Sequence, residues 1–116
     1  MIRILFVEDD EISRKLGVKI LENSGKVETT AAKNGYEALA LYQHNYFDLL
    51  LVDLSLPDIS GLDVVSLIKH KYKTRPPAVA ISAHLGKNEK TPSTVDRLYA
   101  KPLTSSLFEE ILTLLN

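Results

Sequence analysis

Leu49-Leu50-Leu51-Val52-Asp53 carries four apolar residues straight into a carboxylate. A half-exposed strand would alternate apolar with polar, so a short continuous run of this kind suits a β-strand buried on both faces of a parallel sheet. No other stretch is as apolar, which puts this strand at the sheet's centre and Asp53 at its C-terminal tip. A carboxylate there is costly unless a cation or hydrogen-bond donors compensate it. The plainer reading, a loop carboxylate capping the next helix, is weaker because Glu8 and Asp9 end another apolar run in the same way.

Working outward, Ile2 to Val7 is that second apolar run. Residues 11–23 follow with Leu16, Ile20 and Leu21 on one helical face, Lys15, Lys19 and Glu22 elsewhere, and Gly25 as a stop. Val27 to Ala31 reads as a weaker strand near an edge. Asn34-Gly35-Tyr36-Glu37 has capping-box spacing ahead of Ala38, Leu39, Leu41 and Tyr42. Pro57 and Gly61 mark a loop, after which Leu62, Val65 and Ile68 recur at spacing three. Ala78 to Ile81 and Arg97 to Ala100 are further strands. Ser106-Leu107-Phe108-Glu109 has capping-box spacing again, and Leu107, Phe108, Ile111, Leu112 and Leu115 make an amphipathic last helix. Residues 86–94 contain no large apolar side chain and include Pro92, which predicts a loop or at most one helical turn.

Strands alternating with helices give an α/β class: a doubly wound parallel sheet covered on both faces, with right-handed crossovers. Ligands of such sheets bind beyond the carboxyl ends of the strands. That rule gathers Glu8, Asp9, Asp53, Ser82 and Lys101 at one edge.

The chain of 116 residues suffices for one compact domain and not two. A formal charge of −1 offers nothing global to attract nucleic acid or anionic lipid. The absence of cysteine excludes disulfides and thiolate metal sites and is compatible with a reducing cytoplasm. The apolar start is too short for a signal peptide or a membrane span.

At the collected edge, crowded carboxylates repel one another and resist ionising unless a metal joins them. An oxygen-only cluster without His or Cys suits Mg²⁺ best. Asp10 and Glu11 have the simpler role of negative charge in a helix's first turn. Ser82 offers a hydroxyl with room beside it at Ala83, and Lys101, pinned by Pro102, an ammonium that reaches the acids. Of the three histidines, His84 alone is near the site; His44 and His70 read as surface residues. Together these groups suit phosphoryl transfer to a carboxylate, which needs positioning and charge neutralisation above all.

Phe6-Val7-Glu8-Asp9-Asp10, Leu51-Val52-Asp53-Leu54-Ser55-Leu56-Pro57-Asp58-Ile59-Ser60-Gly61, Ile81-Ser82-Ala83 and Ala100-Lys101-Pro102-Leu103 together resemble the receiver domain of two-component response regulators, over essentially the whole chain, 1–116. The resemblance implies a flavodoxin-like five-stranded sheet of order 2-1-3-4-5. It implies that Asp53 accepts a phosphoryl group from a histidine kinase or histidine phosphotransfer domain. Asp9, Asp53 and the backbone carbonyl of Ser55 would ligate Mg²⁺, with Glu8 acting through metal-bound water. Ser82 would bond a phosphoryl oxygen, Lys101 would pair with its charge, and the Lys101–Pro102 peptide would be cis. Such a domain is a phosphoacceptor, not a turnover enzyme. The acidic motifs look most like receivers of hybrid sensor kinases, whose parent is a protein histidine kinase; either origin places the domain in the cytoplasm or on the cytoplasmic side of a membrane sensor.

The chain departs from the family between Ser82 and Lys101, where the segment is short and the usual fourth helix lacks apolar residues. Leu98 stands where an aromatic is common, with Tyr99 beside it, and Ser55 and His84 occupy positions that tune dephosphorylation in relatives. A haloacid-dehalogenase-like phosphatase needs a second Asp where Ser55 stands, and a flavodoxin-like electron carrier would not place Glu8-Asp9-Asp10 in its phosphate loop. A pseudo-receiver that only binds partners is the remaining alternative. For docking, Ile12, Pro102 and Leu103 are the candidate contacts; Ile12 either closes the core or anchors a partner beside Asp53. No contact with nucleic acid or membrane is expected of this domain, and nothing in the sequence speaks to oligomeric state.

Overall fold

In the computed structural model, which describes residues 1–86 and 89–115, Leu49–Asp53 forms β3 at the centre of a five-stranded parallel sheet of order β2-β1-β3-β4-β5. The other strands are β1 (Ile2–Val7), β2 (Val27–Ala32), β4 (Ala78–Ser82) and β5 (Arg97–Ala100). Helices α1 (Glu11–Glu22), α2 (Gly35–Gln43), α3 (Gly61–Lys71) and α4 (Ser105–Leu112) connect or follow them, and a 3₁₀ turn (Thr113–Leu115) follows α4. This is the doubly wound, flavodoxin-like order expected, with β2 on an edge.

The continuous apolar runs resolve into two faces because strand side chains alternate. Leu5, Val7, Leu50, Val52, Ala78 and Ala80 form one core with Ala38 of α2 and Val64, Val65 and Ile68 of α3. Ile4, Phe6, Leu49, Leu51, Val79 and Ile81 form the other with Leu21 of α1 and Phe108 and Ile111 of α4. With both faces covered, no position in β3 tolerates a polar side chain until its tip.

Local signals set most boundaries. Asn34 caps α2, its Oδ1 accepting from the Glu37 N–H at 2.8 Å. The Glu37 carboxylate returns to the N–H of Lys33, one residue before the cap, at 3.0 Å. Gly25 takes φ 74°, the left-handed conformation that ends a helix with little strain. Two expectations are corrected. The last helix begins two residues earlier than the Ser106 capping box implies: Thr104 is the cap, its hydroxyl accepting from Leu107 N–H at 3.1 Å, and Glu109 is not in capping position. Leu16 is not part of the buried stripe of α1 but 56% exposed, while Gly17 and Leu21 face the sheet. Gly17 lets α1 lie directly on Phe6, whose ring would meet a Cβ there at 2.5 Å; that close seating rotates Leu16 outward.

Between β4 and β5 the described residues form neither helix nor strand; Lys87 and Asn88 of the 86–94 stretch lie outside the description. The sheet stays covered here because Ala78 and Ala80 are small and Val95, from the connection itself, enters the core. A polar staple pins the connection. The Asp96 carboxylate accepts from Arg75 Nη1 at 2.9 Å and from the Ala78 N–H at 2.8 Å, and Arg75 Nη2 donates to the Thr94 carbonyl at 2.9 Å. Burial alone would raise the Asp96 carboxyl, but the Ala78 N–H and the Arg75 guanidinium outweigh it and hold it below the usual carboxylate range.

Candidate functional site

Parallel strands deliver their C-terminal ends to one edge, and the acids arrive there in turn. Glu8 follows β1 and is 1% exposed; Asp53 ends β3 and is 4% exposed. Asp9 is exposed beside them. One carboxylate oxygen from each of Glu8, Asp9 and Asp53 lies within 4.8 Å of the others. Lys101, just beyond β5, bridges the two buried acids: its Nζ donates to Glu8 Oε1 at 2.5 Å and to Asp53 Oδ2 at 2.8 Å. The Lys101–Pro102 peptide is cis.

Each of the two buried carboxylates has a second hold. Glu8 Oε2 accepts from the Asp10 N–H at 3.1 Å, and Asp53 Oδ1 from the Ser55 N–H at 3.0 Å. Burial pushes the Glu8 carboxyl above its ordinary range, with the Asp53 charge adding to that, while the bonds from Lys101 and the Asp10 N–H pull partly back. Burial alone would lower the Lys101 ammonium, but its hydrogen bonds to Asp53 and Glu8 outweigh this and raise it, so it stays charged. Asp10 itself is the cap of α1, accepting from the Ser13 N–H at 2.8 Å.

Ser82, buried at the tip of β4, lies one register step beyond Asp53's partner Ile81. Its hydroxyl is turned into its own loop, donating to the His84 carbonyl at 3.3 Å and accepting from the His84 N–H at 3.2 Å. Ser55 meets the cluster through its N–H. His84 neighbours the site by its backbone; His44 and His70 are exposed elsewhere. Of the docking candidates, Ile12 is 71% exposed, which removes the core-closing alternative. Pro102 is exposed and Leu103 half-buried. Both line a groove of about 440 Å³ between α1 and the segment after β5, together with Leu16, Ile20 and Lys101.

Three supporting residues escaped the sequence reading. In the sequence Gly61 signals only a loop, yet a Cβ there would stand 2.1 Å from the Asp53 carbonyl oxygen, and its N–H donates to the Leu54 carbonyl at 3.0 Å. Asp58 reaches from the β3–α3 loop to the start of α2, accepting from the N–H groups of Gly35 at 2.9 Å and Tyr36 at 2.8 Å. Arg14 donates to the carbonyls of Glu8 at 3.0 Å and Asp9 at 3.2 Å. The only sequence signal for Arg14 was a cation near a helix N-terminus, where the dipole disfavours it.

Chemically, the edge offers hard oxygen ligands for a divalent cation, an ammonium fixed on Asp53, and a nearby Ser82 hydroxyl bonded into its own loop. Residues 4–99 match the family model described as the response regulator receiver domain. Over 87 residues the chain is 37% identical to the polar-differentiation response regulator DivK of Brucella ovis, covering 74% of this chain and 70% of that protein. The response regulator TrrA of Thermotoga maritima, solved with Mg²⁺ and BeF, superposes with a TM-score of 0.83 at 30% identity, covering 98% of this chain and 99% of that one. TrrA in complex with the histidine kinase ThkA superposes at 0.84, with all of both chains covered and 30% identity. The chain belongs to the response regulator receiver domain family.

Proposed function

We propose that residues 1–116 are one receiver domain in which Asp53 accepts a phosphoryl group from a phosphohistidine, switching a partner-binding surface. The observation that carries this is Lys101 held on both Asp53 and Glu8, with Asp9 within reach of the same point. Three carboxylates against one ammonium leave a local excess of two negative charges, which a divalent cation matches. The donor set is all oxygen and therefore fits Mg²⁺. Asp9, Asp53 and the Ser55 carbonyl would hold it, with Glu8 acting through a bound water. When bound, Mg²⁺ supplies charge neutralisation for the incoming phosphoryl oxygens. Mg²⁺ in the structure of TrrA supports the assignment.

In the transfer, an Asp53 carboxylate oxygen forms the new P–O bond while the P–N bond to the donor imidazole breaks, its electron pair returning to the ring nitrogen. Lys101, already on Asp53 Oδ2, keeps that carboxylate aimed and then pairs with the added charge. Ser82 would exchange its bonds with His84 for one to a phosphoryl oxygen, and that release would carry the signal into the connection beyond Ala83. The partner is a histidine kinase or histidine phosphotransfer domain docking over α1 through Ile12, Pro102 and Leu103; the complex of TrrA with ThkA supports a kinase partner. Among the described residues no helix is long and apolar enough to cross a membrane. The acidic motifs support an origin in a hybrid sensor kinase, and with it a cytoplasmic setting.

Incubation with acetyl phosphate and Mg²⁺, read by intact-mass spectrometry, should add one phosphoryl group to the wild type and none to Asp53→Asn. An unlabelled wild type would leave a phosphorylation-independent binding module as the better reading; label on Asp53→Asn would move the acceptor elsewhere.

A further inference from the structure

Arg14 makes two contacts that phosphoryl transfer does not itself call for. A single nitrogen, Nη1, bridges the carbonyl oxygens of Glu8 and Asp9 at 3.0 and 3.2 Å. Acidic side chains crowd this turn, yet among the described residues Arg14 forms no ion pair with any of them. Its cation stands in the opening turns of α1, where the helix dipole opposes it. The carbonyl bonds offset that opposition, since hydrogen bonds from a charged donor are the stronger kind.

The consequence falls on Asp9. Glu8 is held by Lys101 and the Asp10 N–H, and Asp53 by Lys101 and the Ser55 N–H. Among the described hydrogen bonds, none holds the Asp9 carboxylate. What is held is the backbone it springs from, on both sides, by Arg14.

We propose that Arg14 is a positioning residue for the cation site: it clamps the turn after β1 so that the Asp9 carboxylate faces Glu8 and Asp53, while leaving all three carboxylates free to serve the ion. This rests on the Mg²⁺-dependent reading of the site. Charge and position predict opposite signs for losing Arg14. As a bare positive charge it repels a divalent ion, so its removal would tighten binding. As a clamp, its removal lets Asp9 wander and weakens binding.

The test is calorimetric Mg²⁺ titration of the whole chain, with metal-free thermal unfolding to monitor the fold. Arg14→Met keeps the apolar stem and loses both charge and donors; Arg14→Lys keeps an ammonium able to bridge two carbonyls. Mg²⁺ affinity should fall on the order of tenfold in Arg14→Met, the usual scale for losing a residue that orients a ligand, and recover largely in Arg14→Lys. In an Asp9→Asn background, Arg14→Met should add little further loss, because the clamp acts through Asp9. If Arg14→Met does not fold, Arg14→Gln carries the same comparison. Unchanged or tighter binding in Arg14→Met, failure of the lysine to rescue, or a fully additive loss on Asp9→Asn would each overturn the clamp alone. A wild type that binds no Mg²⁺ would overturn the clamp and the functional reading together.

Discussion

Lys101 and Asp53, 48 positions apart in the chain, are joined by a 2.8 Å hydrogen bond that also balances a buried charge. The same ammonium serves Glu8, 93 positions away. One cation thus lets two buried acids stay close in the absence of metal, and it stands where the phosphoryl charge would arrive.

Lys101→Met should therefore damage the metal-free fold. Stranding two buried carboxylates costs about 3 kcal/mol by the usual scale for breaking a buried ion pair, at the low end because the site's edge is open to solvent. Saturating Mg²⁺ should restore much of that loss by binding only the folded state. Thermal unfolding with and without Mg²⁺ checks it, and a variant as stable as wild type without metal would refute the pairing.

Gly61→Ala should be worse than its size suggests. The added Cβ meets the Asp53 carbonyl oxygen at 2.1 Å, a backbone atom that cannot swing away. Overpacking of this kind costs about 2–3 kcal/mol, and it should also displace Asp53 enough to slow acetyl phosphate labelling. Gly25→Ala is the control: its Cβ meets nothing within 4 Å, so only the φ of 74° is strained, at about 1 kcal/mol. Denaturant midpoints for the two variants test the order.

Asp96→Asn should lower stability at neutral pH and matter less in acid. The folded carboxyl is held below its ordinary value of 3.8, so the unfolded chain binds its proton first as pH falls. Its stabilisation is complete above that ordinary value and disappears as pH drops through the lower folded one. Asp96 is partly exposed, so the charge-dependent part is about 1 kcal/mol after screening. The difference in midpoint between the two proteins should be smaller at pH 3 than at pH 7; a constant gap would mean the carboxylate's charge is not what the staple uses.

Ile12→Asp should separate docking from chemistry. Ile12 is exposed on α1 and joins no described core cluster, so its loss should leave folding and acetyl phosphate labelling nearly unchanged. Transfer from a phosphohistidine-bearing domain should slow at least tenfold if the side chain anchors the interface, the scale of a residue worth more than about 1.4 kcal/mol. Equal loss with both donors would point to the site or the fold instead.

Much of the architecture was legible because it is written in local periodicities. Strand and helix repeats depend on backbone geometry alone, so Ile2–Val7, Leu49–Asp53 and Arg97–Ala100 stand where their residues imply. The clustering of Glu8, Asp9, Asp53 and Lys101 followed as well, since a parallel sheet must bring its strand ends to one edge. The rotation of α1 was not legible. Leu16, Ile20 and Leu21 satisfy a helical stripe, but Gly17 against Phe6 decides which side faces the sheet. The Thr104 cap was missed because Ser106 offered an equally good local spacing, and only the path from β5 chooses between them.

The sequence by itself determined the order of elements, the acids at the strand tips and the likeness to the receiver family, because each is set by neighbours along the chain. The tertiary structure alone decided how that chemistry is held: Asp58 on the start of α2, 22 and 23 positions away, Arg75 on Asp96 across 21, and Gly61 against the Asp53 carbonyl. Arg14 is close in sequence to the carbonyls it bridges, yet its role too depends on where the turn after β1 is folded back. Such contacts are set by how close two packed elements come and how each is turned about its own axis, which no local repeat encodes.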